Sequence, residues 1–135
     1  MILKWLKKRK AERQQRNQRK MQEWEESYFT GIEFPIIIMC PDAYLCVSDL
    51  AEYFWDVDIN IFFVNENCEL IDSNGDKFNF KKIDGDQWVP DAKIGKVSTE
   101  ELKDKVTPLL FMPSHPNEIR AASDVKDVIN ILSVE

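Results

Sequence analysis

The sequence predicts an α+β fold, in which a small, mainly antiparallel sheet is packed by C-terminal helices and preceded by a long basic N-terminal helix. Residues 1–28 contain no Gly or Pro and are rich in helix-forming side chains. Residues 59–83 hold apolar runs around an Asn-Gly pair, which is typical of a β-hairpin. Residues 125–132 carry apolar side chains at helical spacing, so a final helix can cover one face of the sheet.

The first helix is predicted to have an exposed part and an anchored part. Residues 7–20 offer only Ala11 as an apolar side chain, so this part cannot pack on a core. Met21, Trp24 and Tyr28 recur at helical spacing. We therefore expect the last turns of the helix to dock on the domain that follows, while the preceding turns project.

The next segments predict an inner strand, a short helix and a central strand. Residues 34–40 form a continuous apolar run rich in β-branched side chains, which suits a strand buried on both faces. Residues 44–47 suit a short extended piece, and the Ser-Asp pair before residue 50 can cap a helix that ends near Trp55. Residues 59–65 are apolar at both alternating positions, and we expect a central strand there.

The hairpin is predicted to turn at Asn74-Gly75 as a two-residue type I′ turn. This turn needs positive φ at both central residues, which Asn and Gly tolerate. Ile71 then lies opposite Phe78, and we expect Ile71, Phe78 and Phe80 to share one buried face. The other face is expected to be largely solvated.

The remainder is predicted to be a loop followed by helices. Residues 84–96 are turn-rich, and we expect a loop there with at most a short edge strand. Ser98 and Glu101 form a capping box for a helix that ends before Pro108. After it we expect a strand at residues 109–112, a loop at 113–116, and a last helix that is capped by Ser123 or begins near Asn117.

Domain organisation and charge divide at a similar place. We predict a basic helical arm, residues 1–30, and a single α+β domain, residues 31–135. Residues 1–20 carry nine Lys or Arg against one Glu, a charge of +8, whereas the remainder carries nine against 23 Asp or Glu, a charge of −14. The chain is therefore a charge dipole along its sequence.

The cysteines and the first residues bear on the compartment. Cys40, Cys46 and Cys68 lie in or beside apolar runs, and an odd number cannot pair completely within one chain. We expect reduced, buried thiols, which fit a reducing compartment. The apolar part of residues 1–6 is too short for a signal peptide or a membrane span. We therefore expect a cytoplasmic protein, or one that is peripheral at the inner membrane surface.

The sequence predicts no catalytic, cofactor or metal site. His115 is the single imidazole, and we expect it to be an exposed loop residue rather than a general base. No glycine pattern for holding phosphates occurs. Residues 72–76 resemble the start of a calcium loop, but the glycine falls at the fourth position and Ile83 stands where a bidentate Glu is needed. We interpret that segment as a hairpin turn and expect a protein without enzymatic activity.

Acidic residues favour a protein-binding function. Carboxylates are concentrated in residues 42–91, and a surface of this kind attracts a cationic protein partner. In composition this is similar to small proteins that inhibit toxins, such as bacterial immunity proteins. We therefore expect a non-enzymatic intracellular binding domain, of the inhibitor or immunity type, that engages a basic partner. The predicted partner-binding residues are Asp72, Asp76, Asp84 and Asp86.

The basic arm supports two alternative functions. Ile2, Leu3 and Leu6 lie beside a cationic stretch, which suits a helix lying on an anionic membrane surface in a peripheral adaptor. Nucleic-acid contact ranks third, because the arm can contact phosphates but the acidic domain repels a polyanion. The predicted membrane or phosphate contacts are Trp5, Lys7, Lys8, Arg9 and Lys10.

Overall fold

The computed structural model describes residues 2–110 and 115–134, and for His115 it describes the backbone alone. The chain forms two compact units, Met1–Thr30 and Gly31–Glu135. The first unit is built on helix α1, Ile2–Tyr28, of 27 residues. The helix ends where the Thr30 hydroxyl donates to the carbonyl oxygen of Glu26 at 2.7 Å. The expected docking of its last turns on the domain stays a prediction.

The second unit is built around a five-stranded antiparallel sheet with the strand order β2-β1-β3-β4-β5. This sheet, the long first helix and the C-terminal helices packed on the sheet confirm the predicted α+β class. Because β1 pairs with both β2 and β3, the predicted inner strand is also confirmed. The strands are β1 (Ile36–Cys40), β2 (Ala43–Val47), β3 (Glu69–Ile71), β4 (Asp76–Ile83) and β5 (Gln87–Lys96).

Both faces of the inner strands are buried. Alternate residues of the inner strands, such as Ile37 and Ile71, join the C-terminal helices in one buried cluster. On the opposite face Ile36, Ile38 and Leu70 are also fully buried. The helices are α2 (Leu50–Trp55), a π-helix (Asp58–Phe63), α3 (Thr99–Val106), a 3-10 turn (Thr107–Leu109), α4 (His115–Ala121) and α5 (Val125–Ser133).

The predicted central strand at residues 59–65 is wrong, because this segment forms the π-helix. Short apolar runs do not distinguish a strand from a buried helical segment. The deciding residue is Asn60, which is fully buried and donates from Nδ2 to the carbonyl oxygens of Tyr53 and Phe54 at 2.8 and 3.2 Å. Its amide also donates to the Asp56 carbonyl oxygen at 3.2 Å. These bonds fold the segment back onto the end of α2.

The hairpin forms where it was predicted, but its register is shifted by one residue. Ile71 pairs with Lys77, and Leu70 pairs with Phe78. The predicted type I′ turn is wrong, because Gly75 has a φ of +83° but Asn74 is not among the residues with positive φ. Residues 72–75 connect β3 to β4, so the connection is four residues long rather than two. A shift of one residue exchanges the two faces, so Phe78 lies on the side of Leu70 rather than Ile71.

The predicted loop at residues 84–96 is wrong, because most of it forms the ten-residue edge strand β5. An edge strand tolerates Pro90 and Gly95, since a missing donor or side chain at the edge breaks no second ladder. The β4–β5 pairing is irregular on either side of Phe78. There the Asn79 side chain accepts from the Ala92 amide at 2.8 Å and takes the place of a ladder bond.

The C-terminal helices agree in part with the predictions. The capping box is confirmed, with Ser98 Oγ accepting from the Glu101 amide at 3.1 Å and Glu101 accepting from the Ser98 amide at 3.4 Å. The predicted last helix is two helices, and α5 is capped by Asp124 rather than Ser123. The predicted loop at 113–116 is wrong from His115, where α4 begins. The described part of the predicted strand at 109–112 is wrong, because Leu109 belongs to the 3-10 turn and Leu110 to no strand. Residues 111–114 lie outside the described residues.

The prediction of three reduced thiols is wrong, because Cys40 and Cys68 form a disulfide. The pairing of β1 with β3 places these residues directly opposite each other, with 4.4 Å between their Cα atoms. Cys46 keeps its thiol and is half-buried. The disulfide removes the argument for a reducing compartment that rested on the cysteines. In the described part of the chain, no helix combines the length and apolar character needed to cross a membrane.

Candidate protein-binding surface

Asp72, the first predicted partner-binding residue, is fully buried. Its Oδ1 accepts from the amides of Asn74 and Asp76, each at 3.0 Å, and its Oδ2 accepts from the amide of Glu33 at 3.1 Å. Three backbone donors therefore satisfy this carboxylate inside the hairpin loop. Asp72 organises the loop and is not accessible to a partner.

Asp76, the second predicted residue, already has cationic neighbours. Its carboxylate is 16% exposed and lies 3.0 Å from Lys93 Nζ and 3.8 Å from Lys96 Nζ. Both lysines come from β5, the strand beside it. The negative charge of Asp76 is thus largely balanced within the sheet.

Asp84 and Asp86 are exposed in the turn between β4 and β5, and Asp86 lies 3.2 Å from Lys82 Nζ. Residues 77–83 of β4 lie between Asp76 and this turn, a distance of about 26 Å at the rise of a strand, and Asp72 precedes β4. Residues 76–96 carry five Lys against four Asp. The four predicted residues are therefore not brought together, and the surface around them is mixed in charge.

A shallow cleft beside the disulfide has a volume of about 340 Å³ and is lined in part by Cys40, Glu69, Lys105 and Leu109. Glu69 Oε2 lies 3.8 Å from Lys105 Nζ and 3.9 Å from Lys77 Nζ, so its charge is also balanced internally. The lining holds no group arranged as nucleophile and base. Within residues 2–110 and 115–134, no three His, Cys, Asp or Glu side chains are grouped as metal ligands.

A different surface combines exposed apolar side chains with carboxylates. Trp55, Val57 and Phe62 are 54%, 50% and 74% exposed, and Asp56 and Asp58 alternate with them and are exposed as well. We name these five residues the acidic-aromatic surface. Single exposed apolar residues are ordinary, but two large aromatic side chains and a valine exposed within eight residues of the chain are unusual, and such exposure is typical of segments that bind other proteins.

Polar contacts hold the surface in place. Asp49 Oδ1 accepts from the Glu52 amide at 2.8 Å and caps α2, the helix that carries Trp55. Tyr53 lies on the inner side of the same helix, where its hydroxyl donates to the Trp88 carbonyl oxygen at 2.7 Å. Burial raises the pKa of the Tyr53 hydroxyl well above its ordinary value. The side chain of Asn60 joins the end of α2 to the π-helix, as described above.

The acidic-aromatic surface lies in a part of the chain without cations. Residues 21–76 contain no Lys, Arg or His. Asp56 and Asp58 are not among the carboxylates that form ion pairs in the described part of the chain, which are Glu69, Asp76, Asp86, Asp91 and Glu100. Asp56 does accept from the Asp58 amide at 2.9 Å, which leaves its charge unbalanced.

Sequence reasoning missed this surface because it placed Phe62 inside a central strand. The absence of Lys and Arg from residues 21–76 is the sequence signal that could have identified it. The predicted contacts on the first helix are all exposed: Trp5, Lys7, Lys8, Arg9 and Lys10.

Comparison of the chain with protein-family models, with curated proteins and with solved structures finds no match. The arrangement of the residues themselves must therefore support any functional conclusion.

Proposed function

We propose that the second unit is a non-catalytic protein-binding domain whose acidic-aromatic surface engages a basic partner protein. The observation that supports this most strongly is the exposure of Trp55 and Phe62 beside carboxylates that form no ion pair with any described residue. Aromatic side chains are the commonest anchors at protein interfaces, since they bury a large area at low entropic cost. The carboxylates supply the selectivity for a positively charged surface.

The charge of the surface also bears on the class of partner. Asp56 and Asp58 repel phosphates, which disfavours nucleic acids and anionic membranes at this site. An Arg or Lys of a partner protein can lie over the ring of Trp55 or Phe62 and at the same time pair with a neighbouring carboxylate. An interface of ordinary size needs about 800 Å² on each side, so the contact would extend beyond these five residues.

The proposal is tested by affinity capture from extracts of the source cells, with the immobilised full-length protein as bait. The double variant Trp55→Ser/Phe62→Ser removes the aromatic anchors. The control, Asp84→Asn/Asp86→Asn, removes two carboxylates of the β4–β5 turn that the sequence predicted to bind the partner. We expect one basic protein to be recovered by the wild type and the control and to be lost with the anchor variant. Equal recovery on all three baits would contradict the proposal.

An inhibitor or immunity role is the form of this function that the acidic character favours. It would require the captured partner to have an activity that the full-length protein suppresses. The measurement is the activity of the purified partner in the presence of the wild type and of Trp55→Ser/Phe62→Ser. Suppression by the wild type alone supports this role.

A further inference from the structure

Helix α1 presents one continuous face on which apolar residues are followed by cations. Apart from one adjacent pair, Trp5 and Leu6, successive members are three or four residues apart, the spacing that places side chains on one side of an α-helix. All of them are exposed. We name this face the α1 stripe, and its residues are Ile2, Trp5, Leu6, Arg9, Arg13, Arg16 and Lys20.

The two parts of the α1 stripe meet at a direct contact. The guanidinium carbon of Arg9 lies 4.5 Å from the centroid of the Trp5 ring. This stacking leaves the N–H groups at the edge of the Arg9 guanidinium free to donate hydrogen bonds to an anionic partner. From Trp5 to Lys20 the stripe extends about 22 Å along the helix, at 1.5 Å per residue.

We propose that the α1 stripe binds the surface of an anionic lipid membrane with the helix axis parallel to the bilayer. The apolar residues would enter the boundary between headgroups and acyl chains, and the cations would face the lipid phosphates. This function is separate from the proposed protein-binding surface, which lies in the second unit.

The apolar residues favour a membrane over a nucleic acid. Ile2, Leu3, Trp5 and Leu6 are 75%, 73%, 54% and 50% exposed. A lipid surface removes such side chains from water, whereas a phosphate backbone leaves most of their area solvated. Trp and Arg are also the residues that lie most readily at the level of the headgroups.

Helix geometry separates most of the predicted contacts of the arm by the side on which they lie. Trp5 and Arg9 belong to the α1 stripe. Lys7, together with Lys4, lies about half a turn away, and Lys8 lies between the two sides. This division provides a matched pair of variants that remove the same number of charges from one helix.

The test is sedimentation of the full-length protein with phosphatidylcholine vesicles that contain about 30% phosphatidylserine, compared with vesicles of phosphatidylcholine alone. Arg9→Gln/Arg13→Gln/Arg16→Gln alters the stripe, and Lys4→Gln/Lys7→Gln/Lys8→Gln is the control. Because each cation facing the lipid contributes about 1 kcal/mol, we expect a loss of roughly 100-fold in partition coefficient for the stripe variant. The control should lose less than about tenfold.

Equal losses of partition coefficient in the two triple variants would contradict binding through the α1 stripe, since they would indicate attraction by overall charge alone. Failure of the wild type to sediment with anionic vesicles, or equal binding to both kinds of vesicle, would overturn the membrane proposal itself. Binding to an oligonucleotide at the same salt concentration without binding to vesicles would do so as well.

A second variant separates the apolar contribution from the charge. Leu6→Ser keeps every cation and is expected to lower the partition coefficient by about tenfold, because burial of a leucine contributes about 1.5 kcal/mol or more. Circular dichroism of each free variant verifies that the helix is retained. Unchanged partitioning of Leu6→Ser would overturn the insertion of the apolar residues.

Discussion

The hairpin loop at residues 72–76 and the acidic-aromatic surface both place carboxylates beside apolar side chains, yet they use them in opposite ways. In the loop, Asp72 accepts three backbone hydrogen bonds and is fully buried. In the acidic-aromatic surface, Asp56 and Asp58 remain exposed next to Trp55 and Phe62. The number of carboxylates in a segment therefore says little about binding. Their availability depends on the donors that the fold places around them.

The largest expected effect tests the structural role of the loop. Asp72→Ala leaves three backbone donors without their acceptor, so we expect a loss of about 3 kcal/mol or more in the free energy of unfolding. Asp84→Ala, at an exposed turn, should cost less than about 0.5 kcal/mol. Urea denaturation of both variants measures the difference. A similar small cost for both would mean that Asp72 does not organise the loop.

The two glycine turns at the ends of β4 provide a second comparison. Gly75 and Gly85 have nearly the same φ, +83° and +82°. A Cβ on Gly75 would meet the Val97 carbonyl oxygen at 2.7 Å, whereas the nearest atom at Gly85 is 3.9 Å away. We expect Gly85→Ala to cost about 1 kcal/mol for the backbone conformation alone, and Gly75→Ala to cost about 2–3 kcal/mol. If thermal unfolding shows the same loss of stability for both substitutions, the backbone around Gly75 moves to accommodate the added Cβ at no further cost.

The smallest expected effect concerns Tyr53, whose side chain lies on the inner side of α2, the helix that carries Trp55. At neutral pH, Tyr53→Phe should cost about 1 kcal/mol because it removes the hydrogen bond to Trp88. Burial raises the folded pKa, so the stabilisation is complete below the unfolded pKa of about 10 and decreases above it.

The stability difference between wild type and Tyr53→Phe should therefore shrink above about pH 10, by up to about 1.4 kcal/mol per pH unit. Equilibrium unfolding of both proteins between about pH 7 and pH 11 measures this difference. A constant difference over that range would contradict the burial of an un-ionised hydroxyl.

Local patterns in the sequence predicted the features that depend on local contacts. The capping box of Ser98 and Glu101, the inner strand at residues 34–40 and the end of α2 at Trp55 agree with the structure. These features follow from side-chain to backbone bonds or from continuous apolar runs, both of which are visible in a few neighbouring residues.

Features that depend on contacts formed only in the folded chain were not predicted. The π-helix depends on the buried side chain of Asn60, and the hairpin register on the three amides around Asp72. The disulfide depends on the register of β1 against β3, which brings residues 28 apart in sequence into opposition. The candidate surface was missed for the same reason, since the exposure of Phe62 follows from the π-helix.

In the proposed function, Asp56 and Asp58, rather than the carboxylates of the β4–β5 turn, guide a basic partner to the protein. The most direct test is the association rate constant of the captured partner at low salt, measured with Asp56→Lys/Asp58→Lys and with Asp84→Lys/Asp86→Lys. Both variants change the net charge equally. We expect association to slow about tenfold or more in the first variant and less than about twofold in the second. Equal slowing, or slowing by the turn variant alone, would contradict the account.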